Sequence, residues 1–206
     1  MKSGHFSTLE HVSYTFAVDG VSRALTHQLV RHRLASFHRQ SQRYVKFTEG
    51  VETVKPDTVS RDEEANRIFD EAINAVLEGY QKLLDAGIPA EDARYLLPNA
   101  AETKIVITMN IRELLHFFSL RCCNRAQWEI REMAHRMLAL VKPTAPYIFM
   151  DAGAPCVRGT CPEGKMTCGK SIPLRMSPTD IIRVDFPKLC EESVLEEGVL
   201  DEDTAD

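Results

Sequence analysis

Residues 10–18 alternate, with Val12, Tyr14, Phe16 and Val18 on one side of an extended chain, which predicts a half-buried strand closed by a turn at Asp19-Gly20. The period then changes. Ser22 can cap a helix, and Leu25, Leu29 and Leu34 give that helix an apolar stripe reaching about Phe37. Ser60-Arg61-Asp62-Glu63 reads as a capping box, and Ile68, Ala72, Val76 and Leu83 carry a long helix over about 61–86 that ends before Gly87-Ile88-Pro89. A short helix opens after Pro89, with Glu91 and Asp92 in its first turn, and ends near Leu97-Pro98. Ile105-Val106-Ile107 predicts a buried strand, and Asn110 can cap a helix over 111–120. A further helix covers about Ala126–Val141 and stops at Pro143. Residues 151–170, rich in Gly, Pro and Cys, read as a loop, and Ile181, Val184 and Phe186 as a last short strand. The economical architecture is one α/β domain, mixed α+β, over 1–190, with a central sheet flanked by helices.

Charge changes this picture at two places. Residues 191–206 hold eight acids and no base, which predicts a solvated, disordered tail and leaves residues 1–190 cationic although the whole chain carries −5. Between Gly20 and Thr48 the reverse holds: no acid, but Arg23, Arg31, Arg33, Arg39, Arg43 and Lys46. No stretch of about 18 apolar residues could span a bilayer, and the first residues lack an apolar signal core, so a cytoplasmic protein with no membrane partner is expected. Its six cysteines are then expected as thiols or metal ligands rather than as a disulfide framework.

Guanidinium groups grip phosphate through paired donors in a fixed plane, and serine hydroxyls complete such a cradle, so Arg31, Ser41 and Arg43 are candidate phosphate ligands. On a helix, Arg31, His32 and Arg33 would spread over about 200° and could not all face one ligand. A second set, Arg94, Arg112 and Arg121, lies in apolar sequence and needs anionic partners, for which Glu102, Glu113 and Glu129 are the nearest candidates.

Arg31-His32-Arg33, seven residues and Ser41, extended by Gln42-Arg43-Tyr44, resembles the signature of the flavin-dependent thymidylate synthases. Gly4-His5-Phe6-Ser7 with Glu10-His11 resembles the segment before that signature, while Asn110-Ile111-Arg112, Leu120-Arg121 and Ala126-Gln127-Trp128-Glu129-Ile130 resemble the family's second block. The resemblance spans about residues 4–150. It implies a mixed α/β fold, a homotetramer with shared active sites, and methylation of dUMP to dTMP using methylenetetrahydrofolate, FAD and NADPH. Relatives also carry an N-terminal strand and helix ahead of the segment where this chain begins, so those elements are expected to be missing.

At FAD the resemblance places Ser7, Arg31, His32, Arg33, Asn110, Arg112 and His116, with Arg39 where relatives often carry an acid, so any contact there changes sign. At dUMP it places Gln28, Arg31, Ser41, Arg43, Arg94 and Arg121. Arg121 is the expected activator, a fixed cation that favours ionisation at N3 of the pyrimidine and raises electron density at C5. Ser41 is read as a phosphate ligand, since only arginines and His38 stand near it in sequence to act as a base. No resident metal is assigned. Cys156, Cys161 and Cys168 nevertheless form a candidate zinc loop if Cys190, Cys122 or Cys123 adds a fourth thiolate. The rival reading is a nucleic-acid-binding module using a basic helix over 21–46, whereas the enzyme reading has no nucleic-acid partner.

Overall fold

The computed structural model describes residues 5–43 and 51–170. The strand expected at Ile181, Val184 and Phe186 and the acidic tail 191–206 lie outside the described residues. The chain divides into two compact units, Met1–Phe117 and Phe118–Asp206.

The first unit is organised on a three-stranded antiparallel sheet, β1 (Ser13–Ser22), β2 (Ala35–Arg39) and β3 (Glu102–Asn110), with β3 in the centre. Thr103, Ile105, Ile107 and Met109 are buried while Lys104 and Val106 are exposed, the alternation of a strand with one face on the core. Phe16 and Phe37 both stand opposite Ile107. Each fully buried aliphatic side chain on that face contributes roughly 1.5–3 kcal/mol.

Two sequence expectations need correcting here. Asp19-Gly20 does not close the first strand. β1 runs on to Ser22 through an irregularity between Val18 and Val21, where Gly20 takes φ +71° and Asp19 Oδ1 accepts from the Gly20 N–H at 2.9 Å. Nor does the following helix reach Phe37: α1 covers only Arg23–Leu29, capped as expected by Ser22, whose Oγ accepts from the Leu25 N–H at 3.0 Å. Leu25 and Leu29 are fully buried, but Leu34 is 77% exposed and gives a longer helix nothing to pack. Pairing of residues 35–39 along the open edge of β3 satisfies both backbones and overrides the local helical pattern. The basic helix over 21–46 required by the nucleic-acid reading is therefore not formed; a helix, a turn and a strand stand in its place up to Arg43.

After α2 (Asp57–Ser60), the long helix α3 (Glu63–Asp85) is capped by Asp62 rather than by Ser60: its Oδ1 accepts from the Ala65 N–H at 2.8 Å. Then α4 (Ala90–Ala93) leads through a 3-10 turn at Arg94–Leu96 to β3. Asn110 caps α5 (Ile111–Arg121) as expected, accepting from the Glu113 N–H at 2.9 Å. In the second unit α6 (Trp128–Val141) starts where Gln127 Oε1 accepts from the N–H groups of Glu129 and Ile130, and it buries Ile130, Ala134, Met137, Leu138 and Val141. Phe118 meets Phe149 of α7 (Pro146–Phe149) edge to face at 6.2 Å. Residues 151–170 form the expected loop, broken by two 3-10 turns. No helix among the described residues is long and apolar enough to cross a membrane.

Candidate functional site

Arg31-His32-Arg33 occupies the turn between α1 and β2, not a helix, so the angular problem posed by a helix disappears. His32 points inward. Its Nδ1 lies 2.9 Å from Glu113 Oε1, with the two side chains only 3% and 5% exposed, and its ring meets Phe117 edge to face at 5.0 Å. The buried pair ties the turn to the first turn of α5 and leaves Arg31 and Arg33 exposed on either side, with no ion pair among the described residues. His116, exposed, stands 6.0 Å from His32, ring to ring. Ser7 is exposed on the 3-10 turn Phe6–His11. The expected acid partners are reassigned: Arg112 pairs with Glu10, and Glu113 is spent on His32.

A second cationic group gathers around the start of α1. Arg23 Nη1 donates to the Gln40 carbonyl at 3.4 Å, Arg39 Nη1 to Thr26 Oγ1 at 2.9 Å, and Arg94 Nε to the Glu91 carbonyl at 3.0 Å. Among the described residues none of the three pairs with a carboxylate. Burial, then the neighbouring Arg39 and Arg94, pull the Arg23 guanidinium down to about 10, and burial followed by Arg94 lowers Arg39. Three half-buried cations within reach of one another, with no carboxylate partner among the described residues, form a site that an incoming phosphate would relieve. Arg43 is differently placed, held by Glu91 Oε2 at 3.1 and 2.9 Å, while Ser41 Oγ accepts from the Arg43 N–H at 3.1 Å. Gln28 is half-buried on α1. Arg23 had no site role in the sequence reading; its place directly after the capping Ser22, in the acid-free stretch, was the available signal.

In the second unit Arg121 is half-buried, and burial lowers its pKa. It lines a cavity of about 270 Å³ together with Cys123, Asn124, Cys156, Cys161 and Cys168. Among the described residues no three His, Cys, Asp or Glu side chains are grouped so as to hold a metal ion.

Fold and site together define a mixed α/β protein that crowds Arg23, Arg39 and Arg94 together. The sequence profile of the family described as Thymidylate synthase complementing protein matches residues 1–147, and this chain belongs to that family. A flavin-dependent thymidylate synthase of Geobacter sulfurreducens is 59% identical over 172 residues, covering 83% of this chain and 74% of the relative. Proteins of the same name from Clostridium tetani and Nitratidesulfovibrio vulgaris are 48% and 52% identical, covering 85% and 86% of this chain and 76% of each relative.

Proposed function

We propose that this chain is a flavin-dependent thymidylate synthase that methylates dUMP to dTMP, with FAD as its flavin, methylenetetrahydrofolate as carbon donor and NADPH as reductant. The observation in the molecule that carries this reading is the Arg23, Arg39 and Arg94 group, cations that pair with no carboxylate among the described residues. A nucleotide monophosphate supplies that anion, with Gln28, Ser41 and Arg43 beside it as the family resemblance implies. Arg39, which the resemblance put at the cofactor, joins the nucleotide set because it lies with Arg23 and Arg94.

The residues present also fit FAD. Arg31 and Arg33 offer exposed planar donors of the kind a diphosphate requires, and Arg112, Ser7, Asn110 and His116 complete the set. When bound, FAD supplies the hydride chemistry; the protein supplies orientation and electrostatics. His32 works from below, holding the turn against Glu113 so that both arginines stay outward. Arg121 acts on the pyrimidine. A partly desolvated guanidinium is a stronger electrostatic partner than a solvated one, so at N3 it favours loss of the proton and enriches C5 in electron density.

Sites shared between copies in a homotetramer belong to the same proposal. Leu34, 77% exposed, and Tyr95, 84% exposed, are large side chains that association would cover. As an enzyme of nucleotide metabolism, the protein is placed in the cytoplasm. The test is dTMP formation by the full chain from dUMP, methylenetetrahydrofolate and NADPH, with flavin content and oligomer mass measured on the same sample. Arg121→Lys should keep FAD and lose most dTMP formation, since one ammonium cannot reproduce the planar pair of donors. A wild-type preparation loaded with FAD that forms no dTMP would overturn the reading.

A further inference from the structure

Two arginines tie α1 and the end of β2 to each other. Arg23, at the start of α1, reaches the Gln40 carbonyl at 3.4 Å, while Arg39, the last residue of β2, reaches back to Thr26 Oγ1 at 2.9 Å. Thr26 is fully buried, on the face of α1 that also buries Leu25 and Leu29. A valine would suit an apolar face better, because a buried hydroxyl must find partners. Its one proton is already committed: Thr26 Oγ1 donates to the Arg23 carbonyl at 2.8 Å, so what it turns to Arg39 is a lone pair. Among the described residues no carboxylate pairs with Arg39, and its neighbours Arg23 and Arg94 carry like charge.

We propose that Thr26 is a positioning residue for the nucleotide phosphate: its buried hydroxyl holds the Arg39 guanidinium near Arg23 and Arg94 without neutralising it. The inference rests on Arg39 belonging to the nucleotide set. Repulsion from two neighbouring cations favours an Arg39 side chain turned out toward water, and the bond to Thr26 opposes that turn. A carboxylate at the same place would hold Arg39 harder but cancel the charge that an incoming phosphate needs. A neutral lone pair fixes direction and leaves the charge intact. One N–H of the guanidinium goes to Thr26, and the others stay open to phosphate oxygens. Thr26 itself touches no ligand. It is fixed in turn by the backbone of Arg23, whose side chain is a second member of the set, so one hydroxyl sets the spacing of two cations from different elements.

The test is calorimetric titration of dUMP, and separately of inorganic phosphate, into the full flavin-loaded chain. Two matched pairs isolate the hydroxyl: wild type against Thr26→Val, and Thr26→Ser against Thr26→Ala, the second pair serving if the valine variant does not fold. Loss of the hydroxyl should weaken both ligands by roughly tenfold within each pair, while Thr26→Ser should stay within about threefold of wild type. In an Arg39→Met background Thr26→Val should change affinity little, since the side chain it positions is gone. The alkaline loss of dUMP binding, set near pH 10 by Arg23, should move upward in Thr26→Val as Arg39 leaves its neighbour. A purely structural threonine would lower the melting temperature but show no dependence on Arg39. Affinity indifferent to the hydroxyl, a serine variant as weak as the alanine one, or a valine effect undiminished beside Arg39→Met would each overturn the proposal. Affinity is read without turnover, so the two readings can fail apart: a chain that forms dTMP with no dependence on the hydroxyl sinks this one alone, and a chain that shows the dependence but forms no dTMP sinks the enzyme reading alone.

Discussion

Two arginine groups in the first unit hold the same chemistry in opposite energetic states. Arg31 and Arg33 stand exposed on a turn whose middle residue, His32, is anchored to Glu113, so water satisfies them until a ligand arrives. Arg23, Arg39 and Arg94 are half-buried and repel one another, and their hydrogen bonds go to neutral carbonyl and hydroxyl oxygens. The lesson is that clustering along the sequence says little about where an anion is most needed. Two of the crowded cations come from the acid-free segment and the third from more than fifty residues further along.

The sharpest way to break the comparison is to remove the anchor under the exposed group. Glu113→Ala leaves the His32 Nδ1 buried without its acceptor, and unfolding stability should fall by about 3 kcal/mol, read as a shift in urea midpoint at constant slope. Glu113→Gln keeps an acceptor oxygen and should lose clearly less. Equal losses for the two variants would mean that packing, not the hydrogen bond, holds the turn.

Removing a crowded cation should act in the opposite sense on stability. Arg94→Ala should weaken dUMP binding by roughly a hundredfold, the scale of a charge-assisted hydrogen bond, while stability holds or rises because Arg23 and Arg39 lose a repulsive neighbour. Calorimetric titration with dUMP, set beside thermal melting of the same sample, separates the two effects. Arg31→Ala or Arg33→Ala should instead lower FAD affinity by about tenfold and leave stability within roughly 0.5 kcal/mol, as expected for exposed side chains without a partner. A matching loss of stability in these variants would erase the distinction between the groups.

How much of this was legible in the sequence depends on the range of the forces involved. Caps and breakers are local, so Ser22, Asn110 and the span of α6 were readable, as was the alternation that places Phe16 toward the core. β2 was not, because residues 35–39 become a strand only when β3, far along the chain, offers an edge. Asp62 displaced Ser60 as a cap because α2 already claims Ser60, and two good capping residues two apart cannot be ranked by pattern alone. The signature predicted that Arg31, His32 and Arg33 matter, but not that His32 faces inward; that follows from a partner 81 residues away. Arg23 was visible only as charge, since its proximity to Arg94 is tertiary.

The subtlest consequence of crowding is its pH dependence. Arg23 is lowered to about 10 in the folded protein, by burial first and by Arg39 and Arg94 after it. For a base with a lowered folded pKa, the unfolded chain holds more protons between about 10 and its ordinary value. Stability therefore gains from this group as pH rises through that window, and below it the repulsion is present in full. Nucleotide binding should run the other way. It should strengthen as the phosphate takes its second charge near pH 6, remain level to about pH 9, and weaken several-fold as Arg23 loses its proton. Arg23→Met should bind more weakly throughout and lack the alkaline step, which distinguishes Arg23 from the lysines that titrate in the same range. An alkaline step that survives in Arg23→Met would place the titrating cation elsewhere and remove Arg23 from the phosphate site.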